Sequence, residues 1–440
     1  MIRIFLLAFM LPVCARAEAP ATLNGVVVKV ENGAVYLDLG EASGVKTGST
    51  FAVLGLGEEL KHPVSGASLG RVETEKGLGL VSEVHEKYAL GKLGSGTAAP
   101  GDPVRVRPNA QPAAPAPAQA AAPQAAVRPP LWKSPQFPLE AVDVAAADVD
   151  GDGKAEAVLA DKDSVTAYSL EDWHAVCSFK DKATAVTNLS VEAMDLDKDG
   201  KAEVFLTLNN RFFDRVESYV LDCSSGPMNK RATLEWMVRS YEDETGTAHL
   251  ASQGLLKDAA FPYGPIKPLV YENGRYQQGP GLKLPRLEWL YGFATPKAID
   301  ETFPAFYTVN NRIRLQFGKR SWFTPETYGQ TANRVRRRES NFQFHPRLLV
   351  APGGTEGFAG LYTLRNVPRF GALSDAFGSY NAAELLFLRW TGANVEPDWK
   401  IQLPGYAPGL ATRVAPDGRK ELLAAVVGAN GKTTLWSFPK

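Results

Sequence analysis

Residues 148–156 read DVDGDGKAE, and residues 195–203 repeat the pattern as DLDKDGKAE. Each stretch places aspartates at its first, third and fifth positions, a glycine at the sixth and a glutamate at the ninth. Carboxylates at alternate positions of a tight turn converge, and the glycine permits the sharp reversal that such a turn needs. The two stretches therefore predict a pair of oxygen-rich cation sites.

Calcium suits this donor set, because it is a hard cation that takes about six to eight oxygen ligands. An EF-hand would close the shell with a glutamate at position 12, but Leu159 and Leu206 stand there. The flanking residues 145–147 and 157–159 are strand-like, so each loop is predicted to join two strands. The predicted Ca²⁺ ligands, with a backbone carbonyl at the seventh position, are Asp148, Asp150, Asp152, Lys154 and Glu156 in the first loop, and Asp195, Asp197, Asp199, Lys201 and Glu203 in the second.

The whole of residues 131–440 has the composition of strands. Runs rich in valine and aromatic residues are separated by Gly, Pro, Asn and Asp, and they recur at a spacing of about forty to fifty residues. The pattern D-x-D-x-D-G-x-x-E between strands resembles the FG-GAP or VCBS repeat of integrin-like β-propellers. The resemblance implies calcium at the two loops, and we expect its role to be structural rather than catalytic.

The ends of this region predict how a ring of blades closes. Residues 131–135, LWKSP, are typical of an outer strand without inner strands before it, and the final TTLWSFPK is typical of a blade that lacks its outer strand. Pairing the two would remove an exposed strand edge. Counting from there gives six blades, with seven as the alternative. Residues 415–421, APDGRKE, keep the glycine and glutamate but not the first two aspartates, so we expect no metal there.

Residues 108–130 separate two domains. They are almost entirely proline, alanine and glutamine, which is typical of a disordered, semi-extended linker. Residues 18–107 carry short strand-like runs and an Asn32-Gly33 turn, and they predict a small β-barrel-like domain. Residues 1–17 combine an apolar run with an A-x-A pattern and predict a secretory signal peptide. A lipoprotein anchored at Cys14 is disfavoured, because Val13 stands where a small residue is usual.

The first domain also resembles a known one. Its turn glycines and hydrophobic residues in GEASGVKTGSTFAVLG, HPVSGASLGRVE and APGDPVRV resemble the C-terminal domain of flagellar assembly protein T. That resemblance implies a shape and no chemistry, so it does not by itself imply a flagellar role. Together the segments predict an all-β protein with an N-terminal barrel-like domain, a Pro/Ala linker and a C-terminal β-propeller.

Composition excludes some classes of function. The 48 Lys and Arg balance the 48 Asp and Glu, so the net charge of zero supplies no field for nucleic acid. No stretch beyond residue 17 is apolar for long enough to form a transmembrane helix, so we do not expect an integral membrane protein. Cys177 and Cys223 could pair in an oxidising compartment or stay free, and the sequence leaves both alternatives open.

We therefore expect an exported, non-enzymatic binding or scaffold protein, located in the periplasm, at the outer membrane or outside the cell. Its calcium-stabilised propeller would present a face to a protein or polysaccharide partner at the cell envelope. One alternative is an assembly component of the envelope or flagellar base. Another is a propeller polysaccharide lyase or hydrolase, which would need acids or bases converging at one rim. Its candidate residues are Glu384, Asp375 and Asp398, which no motif links.

Overall fold

The computed structural model describes residues 22–31, 34–61, 68–107, 128–181, 185–213, 215–223, 226–254, 264–282, 289–298, 301–337, 340–353, 357–369 and 378–440. The chain divides into two units, residues 1–122 and 123–440. Within the described ranges there is one short 3₁₀ helix, Glu41–Ser43, and every other element is a strand. This confirms the predicted all-β class. The predicted signal peptide, residues 108–127 of the linker and the Asn32-Gly33 turn lie outside the described residues.

The first unit contains a closed six-stranded barrel, as predicted. Its strands follow the order β1-β2-β5-β4-β3-β6. They are β1 Leu23–Glu31, β2 Ala34–Leu37, β3 Thr50–Lys61, β4 Ser68–Val84, β5 Ala89–Gly96 and β6 Pro103–Arg107. Val35 and Leu37 point inward and alternate with the outward Tyr36, which is the period of a strand with one buried face. A Cβ on Gly79 would lie 2.3 Å from the Phe51 ring, so this glycine lets a large core side chain fit.

Among its described residues, the second unit contains six antiparallel four-stranded blades, two of them joined in one eight-stranded sheet, and six is the predicted number. Along the chain the strands are β7 Trp132–Lys133, β8 Asp143–Ala147, β9 Glu156–Ala160, β10 Ser164–Tyr168, β11 Ala175–Lys180, β12 Val186–Met194, β13 Glu203–Asn210, β14 Arg215–Cys223, β15 Gly226–Leu234, β16 Met237–Glu242, β17 Ala248–Gln253, β18 Lys267–Glu272, β19 Arg275–Gln278, β20 Phe293–Ala294, β21 Lys297–Ala298, β22 Glu301–Thr302, β23 Ala305–Tyr307, β24 Ile313–Phe317, β25 Arg320–Phe323, β26 Arg334–Arg337, β27 Ser340–Gln343, β28 Leu349–Pro352, β29 Phe358–Pro368, β30 Tyr380–Trp390, β31 Val395–Leu403, β32 Tyr406–Val414, β33 Lys420–Val427 and β34 Thr433–Pro439. From the inner strand outward, blades 1 to 6 are β8-β9-β10-β11, β12-β13-β14-β15, β16-β17-β18-β19, β20-β23-β24-β25, β28-β29-β30-β31 and β32-β33-β34-β7, while β21-β22 and β26-β27 form separate hairpins.

Blade 6 closes the ring in the predicted way. Its outer strand β7 comes from the start of the unit and pairs antiparallel with β34 at its end, with Trp436 opposite Lys133 and Ser437 opposite Trp132. Blades 1 and 2 are joined at their outer strands, where β11 runs parallel to β15 over a short stretch. A disulfide between Cys177 and Cys223 lies at this junction, so the two cysteines pair.

Each pair of neighbouring blades shares a hydrophobic cluster. The second strands are buried on both faces, which explains continuous apolar runs such as Ala157-Val158-Leu159-Ala160 in β9. From blades 1 and 2 round to blades 6 and 1, the six clusters contain Val158 and Val191, Phe205 and Val238, Met237 and Phe293, Leu315 and Leu361, Leu385 and Leu422, and Leu423 and Leu159. Burial of these residues holds the ring together.

Two buried arginines fill the centre of the ring. Arg239 Nη1 lies 2.5 Å from Asp143 Oδ2 and 3.1 Å from Glu192 Oε1. Arg347 Nη2 lies 2.7 Å from Glu192 Oε2, and its Nη1 donates to the carbonyls of Val144 and Leu410. Because all four charged side chains are buried and paired, the charges offset one another. The network ties the inner strands of several blades together across the ring axis.

Candidate metal centre

The two aspartate-rich stretches lie where predicted, between the first and second strands of adjacent blades. Loop 1, residues 148–155, joins β8 to β9, and loop 2, residues 195–202, joins β12 to β13. The ninth-position glutamates open the second strands, with Glu156 opposite Ala147 and Glu203 opposite Met194. The prediction of strand-flanked rather than helix-flanked loops is confirmed. A third turn of this kind, loop 6 with residues 415–419, joins β32 to β33.

Backbone amides orient the carboxylates of loop 1. Gly151 and Gly153 donate to the two oxygens of Asp148 at 2.7 and 2.8 Å, and the amides of Asp152 and Lys154 donate to Asp150 and Asp152. Both glycines have positive φ, 81° and 85°, which a residue with a Cβ adopts only at a cost. Oxygens of Asp148, Asp150 and Glu156 then lie within 4.8 Å of one another, while Asp152 falls outside that cluster.

Loop 1 carries negative charge that its protein neighbours do not offset. Glu156 is only 3% exposed, and its Oε2 accepts the Val149 amide at 2.9 Å. Burial, and then the charges of the neighbouring aspartates, raise the pKa of Glu156 to about 7. Among the described residues no cationic side chain pairs with the cluster, since Lys154 Nζ lies 2.9 Å from Glu171 Oε1 instead. A bound divalent cation would relieve this repulsion.

Loop 2 has the same sequence pattern but different neighbours. Its converging oxygens belong to Asp195, Asp197 and Asp199. Arg231 Nη1, from β15, lies 3.0 Å from Asp197 Oδ2. The hydroxyl of Tyr276 donates to Glu203 Oε1 at 2.7 Å, and burial raises the pKa of Glu203. Loop 2 therefore presents three aspartates to a cation, with one of them already shared with an arginine.

Loop 6 shows the same turn with a built-in cation. Arg413, opposite Glu421 in the strand register, donates from Nε to Glu421 Oε2 at 2.8 Å. Ser437 and the indole of Trp132 donate to the same carboxylate. Burial alone would raise the pKa of Glu421, but these hydrogen bonds and the guanidinium hold it below its usual value. The guanidinium already supplies a positive charge to this glutamate, which gives a physical reason for predicting no metal there.

Loop 1 borders a cavity of about 990 Å³. The cavity is lined by loop 1, by the β10–β11 turn, by residues 246–248 of blade 3 and by the loop 6 region. Glu242 and Thr412 line it, and Lys440 Nζ pairs with Glu242. Loop 2 contributes no lining residue. The two predicted ion sites therefore differ in position as well as in charge.

The structure brings most of the predicted ligands together, and it also contains partners that the sequence did not indicate. The Asp and Glu side chains of both loops lie on their turns as predicted, and the carbonyls of Lys154 and Lys201 stay predicted ligands. Arg231, Tyr276 and Arg413 were missed. Only Arg413 had a local signal, because it stands eight residues before Glu421 in a pair of strands whose register the motif sets.

The residues of the enzyme alternative lie apart. Glu384 accepts hydrogen bonds from Arg365, Lys400 and Gln402, which hold its pKa below its usual value although burial would raise it. Asp398 pairs with Arg389 at 3.2 Å on an exposed surface. Asp375 lies outside the described residues. Of the two described candidates, neither has a neighbouring acid or base from this set.

No protein-family profile and no curated protein matches the sequence. Solved structures similar to the chain include BBS1N in complex with ARL6DN, from crystals soaked with lead and with mercury, at 9% identity and a TM-score of 0.35, covering 83% of this chain and 89% of that one. Another is a putative oxidoreductase (glucose dehydrogenase) from Thermus thermophilus, at 12% identity and a TM-score of 0.40, covering 72% of this chain and 99% of that one. These similarities are too slight to support a statement about activity or partners.

The fold itself defines the class: an all-β protein with a closed β-barrel and a β-propeller. The comparisons add no family to that class. Within the ranges given above, no helix is long and apolar enough to cross a bilayer.

Proposed function

We propose that the protein is an exported, non-enzymatic binding or scaffold protein whose propeller is stabilised by calcium in loops 1 and 2. The observation that carries the proposal is the carboxylate cluster of Asp148, Asp150 and Glu156, with which no described cationic side chain pairs. Its donors are all oxygens, which is the chemistry that calcium prefers. We also infer that blades 1 and 2 are repeats of the FG-GAP or VCBS type, since both carry the full motif between strands.

The residues fit a structural role for the ion. When bound, calcium would supply the positive charge that loop 1 lacks. The aspartates of each loop hold the turn by accepting its own amides, and the glutamate fixes the turn to the second strand through the amide of Val149 or Leu196. Ordering of this kind adds the free energy of ion binding to the stability of the folded state.

Export is supported by the disulfide between Cys177 and Cys223, because structural disulfides persist in oxidising compartments. The proposed partner is a protein or polysaccharide of the cell envelope. It would dock on the propeller face that carries the first-to-second-strand loops, where the cavity beside loop 1 provides a concave surface. The periplasm, the outer membrane and the exterior are all compatible with this role.

Thermal unfolding of the full chain with and without a chelator tests the proposal. With free calcium at about 100 times the dissociation constant, each site would add about 2.7 kcal/mol to the free energy of unfolding. We expect the melting temperature to fall when calcium is chelated and to recover when calcium, but not potassium, is restored. An unchanged melting temperature would refute the structural role of calcium.

A further inference from the structure

A hydrogen bond links the end of loop 2 to the start of loop 1. The backbone amide of Ala202 donates to the carbonyl oxygen of Asp148 at 2.7 Å. Asp148 is the first ligand position of loop 1, and Ala202 is the last residue of loop 2 before Glu203. Ala202 is buried, so the hydrogen bond is shielded from water.

A side chain makes a second link between the same loops. The aliphatic stem of Lys201 crosses Gly151, and its Cε and Cγ lie 2.8 and 2.9 Å from where a Cβ of residue 151 would stand. Gly151 in turn donates its amide to Asp148 Oδ1. Two consecutive residues of loop 2 therefore contact the part of loop 1 that holds its first carboxylate.

We propose that the two loops bind calcium cooperatively, with loop 2 acting as a control site for loop 1 and for the cavity that loop 1 lines. The proposal rests on the proposed calcium-binding function. Lys201 and Ala202 follow Asp199, a member of the carboxylate cluster of loop 2, within three residues, so an ion held in loop 2 would restrain the two residues that contact loop 1. When calcium orders the first loop, less conformational entropy remains to be lost when calcium binds the second loop, so the two sites are positively coupled.

The links are specific to this pair of loops. Ala155 occupies in loop 1 the position that Ala202 occupies in loop 2, and among the described residues its amide donates to no backbone carbonyl of loop 6. Coupling therefore runs between blades 1 and 2, the blades that the disulfide also joins, and ends there. Because loop 1 borders the cavity and loop 2 does not, calcium at loop 2 would shape that cavity from a distance.

Calorimetric titration of the calcium-free full chain with calcium tests the coupling. Asp199→Asn removes a ligand from loop 2, and we expect the affinity of loop 1 to fall by about 5- to 150-fold, the usual range for coupled sites. Asp150→Asn removes a ligand from loop 1, and by linkage the affinity of loop 2 must fall by the same factor. If each substitution leaves the calcium affinity of the other loop unchanged, the proposed coupling is refuted while calcium binding itself stands.

Ala202→Pro removes the linking amide and keeps every ligand side chain. We expect this variant to bind two ions without cooperativity, whereas Ala155→Pro, the same change at the matched position, keeps the cooperativity. If Ala202→Pro does not fold, Lys201→Ser, which removes the stem over Gly151, takes its place. Retained cooperativity in the variant tested would refute the proposed link. A wild-type chain that binds no calcium would refute the proposed function and, with it, this inference.

Discussion

Loops 1 and 2 carry the same motif at a distance of 47 residues, yet their carboxylates have different surroundings. In loop 2, Asp197 Oδ2 pairs with Arg231 and Glu203 Oε1 accepts from Tyr276. The equivalent oxygens in loop 1, Asp150 Oδ2 and Glu156 Oε1, receive no hydrogen bond from the described residues. The motif supplies the same carboxylates in both loops, and the surrounding strands, β15 of the same blade and β19 of the next, decide how much of their charge is already offset.

Loop 6 extends the comparison to a turn in which an arginine pairs with the glutamate. The residues opposite the three glutamates are Ala147, Met194 and Arg413. Of these three opposite residues, only Arg413 brings a positive charge to its glutamate, whereas Glu203 lies 3.8 Å from Arg231 of β15. Across the three loops, the charge supplied by protein rises from none to one shared arginine to one dedicated arginine, and the expected dependence on calcium falls in the same order.

The largest difference between loops 1 and 2 should come from removing matched ligands. With free calcium at about 100 times the dissociation constant, Asp150→Asn should lower the free energy of unfolding by about 2.7 kcal/mol, because the site in loop 1 is lost. Asp197→Asn should cost less, since Arg231 already pairs with Asp197 and we expect loop 2 to bind an ion less strongly. With a chelator present, Asp150→Asn should no longer destabilise, because it relieves repulsion among carboxylates. Chemical denaturation with and without calcium measures both effects; equal costs in the two buffers would contradict the account.

The comparison with loop 6 predicts a cost that calcium does not change. Arg413→Met leaves the buried Glu421 without its cation and should destabilise by about 1–3 kcal/mol. Arg419→Met is the matched control, since Arg419 pairs with the exposed Asp417 and its loss should change stability much less than Arg413→Met. The fall in melting temperature caused by Arg413→Met should be the same in calcium and in chelator. A calcium-dependent shift would mean that loop 6 also binds metal.

Backbone strain also separates the first two loops. Lys198 has φ of 62°, where loop 1 has Gly151 with φ of 81°. A left-handed conformation costs a non-glycine residue about 1–2 kcal/mol, so Lys198→Gly should stabilise the chain by about 1 kcal/mol. Asn273→Gly, at φ of 53°, should gain less because asparagine tolerates this region. Denaturant midpoints measure the gain in stability of each variant. A loss of stability in Lys198→Gly would contradict the assignment of backbone strain to Lys198.

The smallest expected effect concerns the arginine that loop 2 shares. Arg231→Gln frees Asp197 Oδ2 and should raise the calcium affinity of loop 2 a few-fold, because an exposed pair of this kind contributes about 1 kcal/mol or less. Arg389→Gln, which removes a similar exposed pair far from the loops, should leave calcium affinity unchanged. Titration calorimetry provides the measurement. A lower affinity in Arg231→Gln would show that the arginine supports the site rather than competing with it.

Local patterns predicted the parts of the molecule that are encoded locally. The spacing of Asp148 to Glu156 predicted a strand-flanked turn, because position 12 excludes an EF-hand and the flanks are apolar. The unpaired runs at residues 131–135 and 433–440 predicted the closing strand of blade 6, because each lacked a partner in its own segment. Counting from that closure predicted six blades, with seven as the alternative.

Contacts between distant residues escaped prediction, because no spacing connects them. Asp197 and Arg231 are 34 residues apart, and Glu203 and Tyr276 are 73 apart. Asp143 and Arg239, in the axial network, are separated by 96. The sequence contains Cys177 and Cys223 but does not show how far apart they lie, so their disulfide could be assigned only from the fold. The Asp197–Arg231 contact depends on how the strands of blade 2 pair, and the other contacts depend on how the blades are placed round the ring, neither of which the spacing in one sequence reveals.

The amount of calcium bound per chain tests the central claim most directly. The full chain, equilibrated with calcium and freed of excess, would be analysed for metal content beside Asp150→Asn and Asp197→Asn. The account predicts two ions in the wild type and, under saturating conditions, one in each variant. A wild-type chain without calcium, or variants that hold as much as the wild type, would contradict the assignment of the ions to loops 1 and 2.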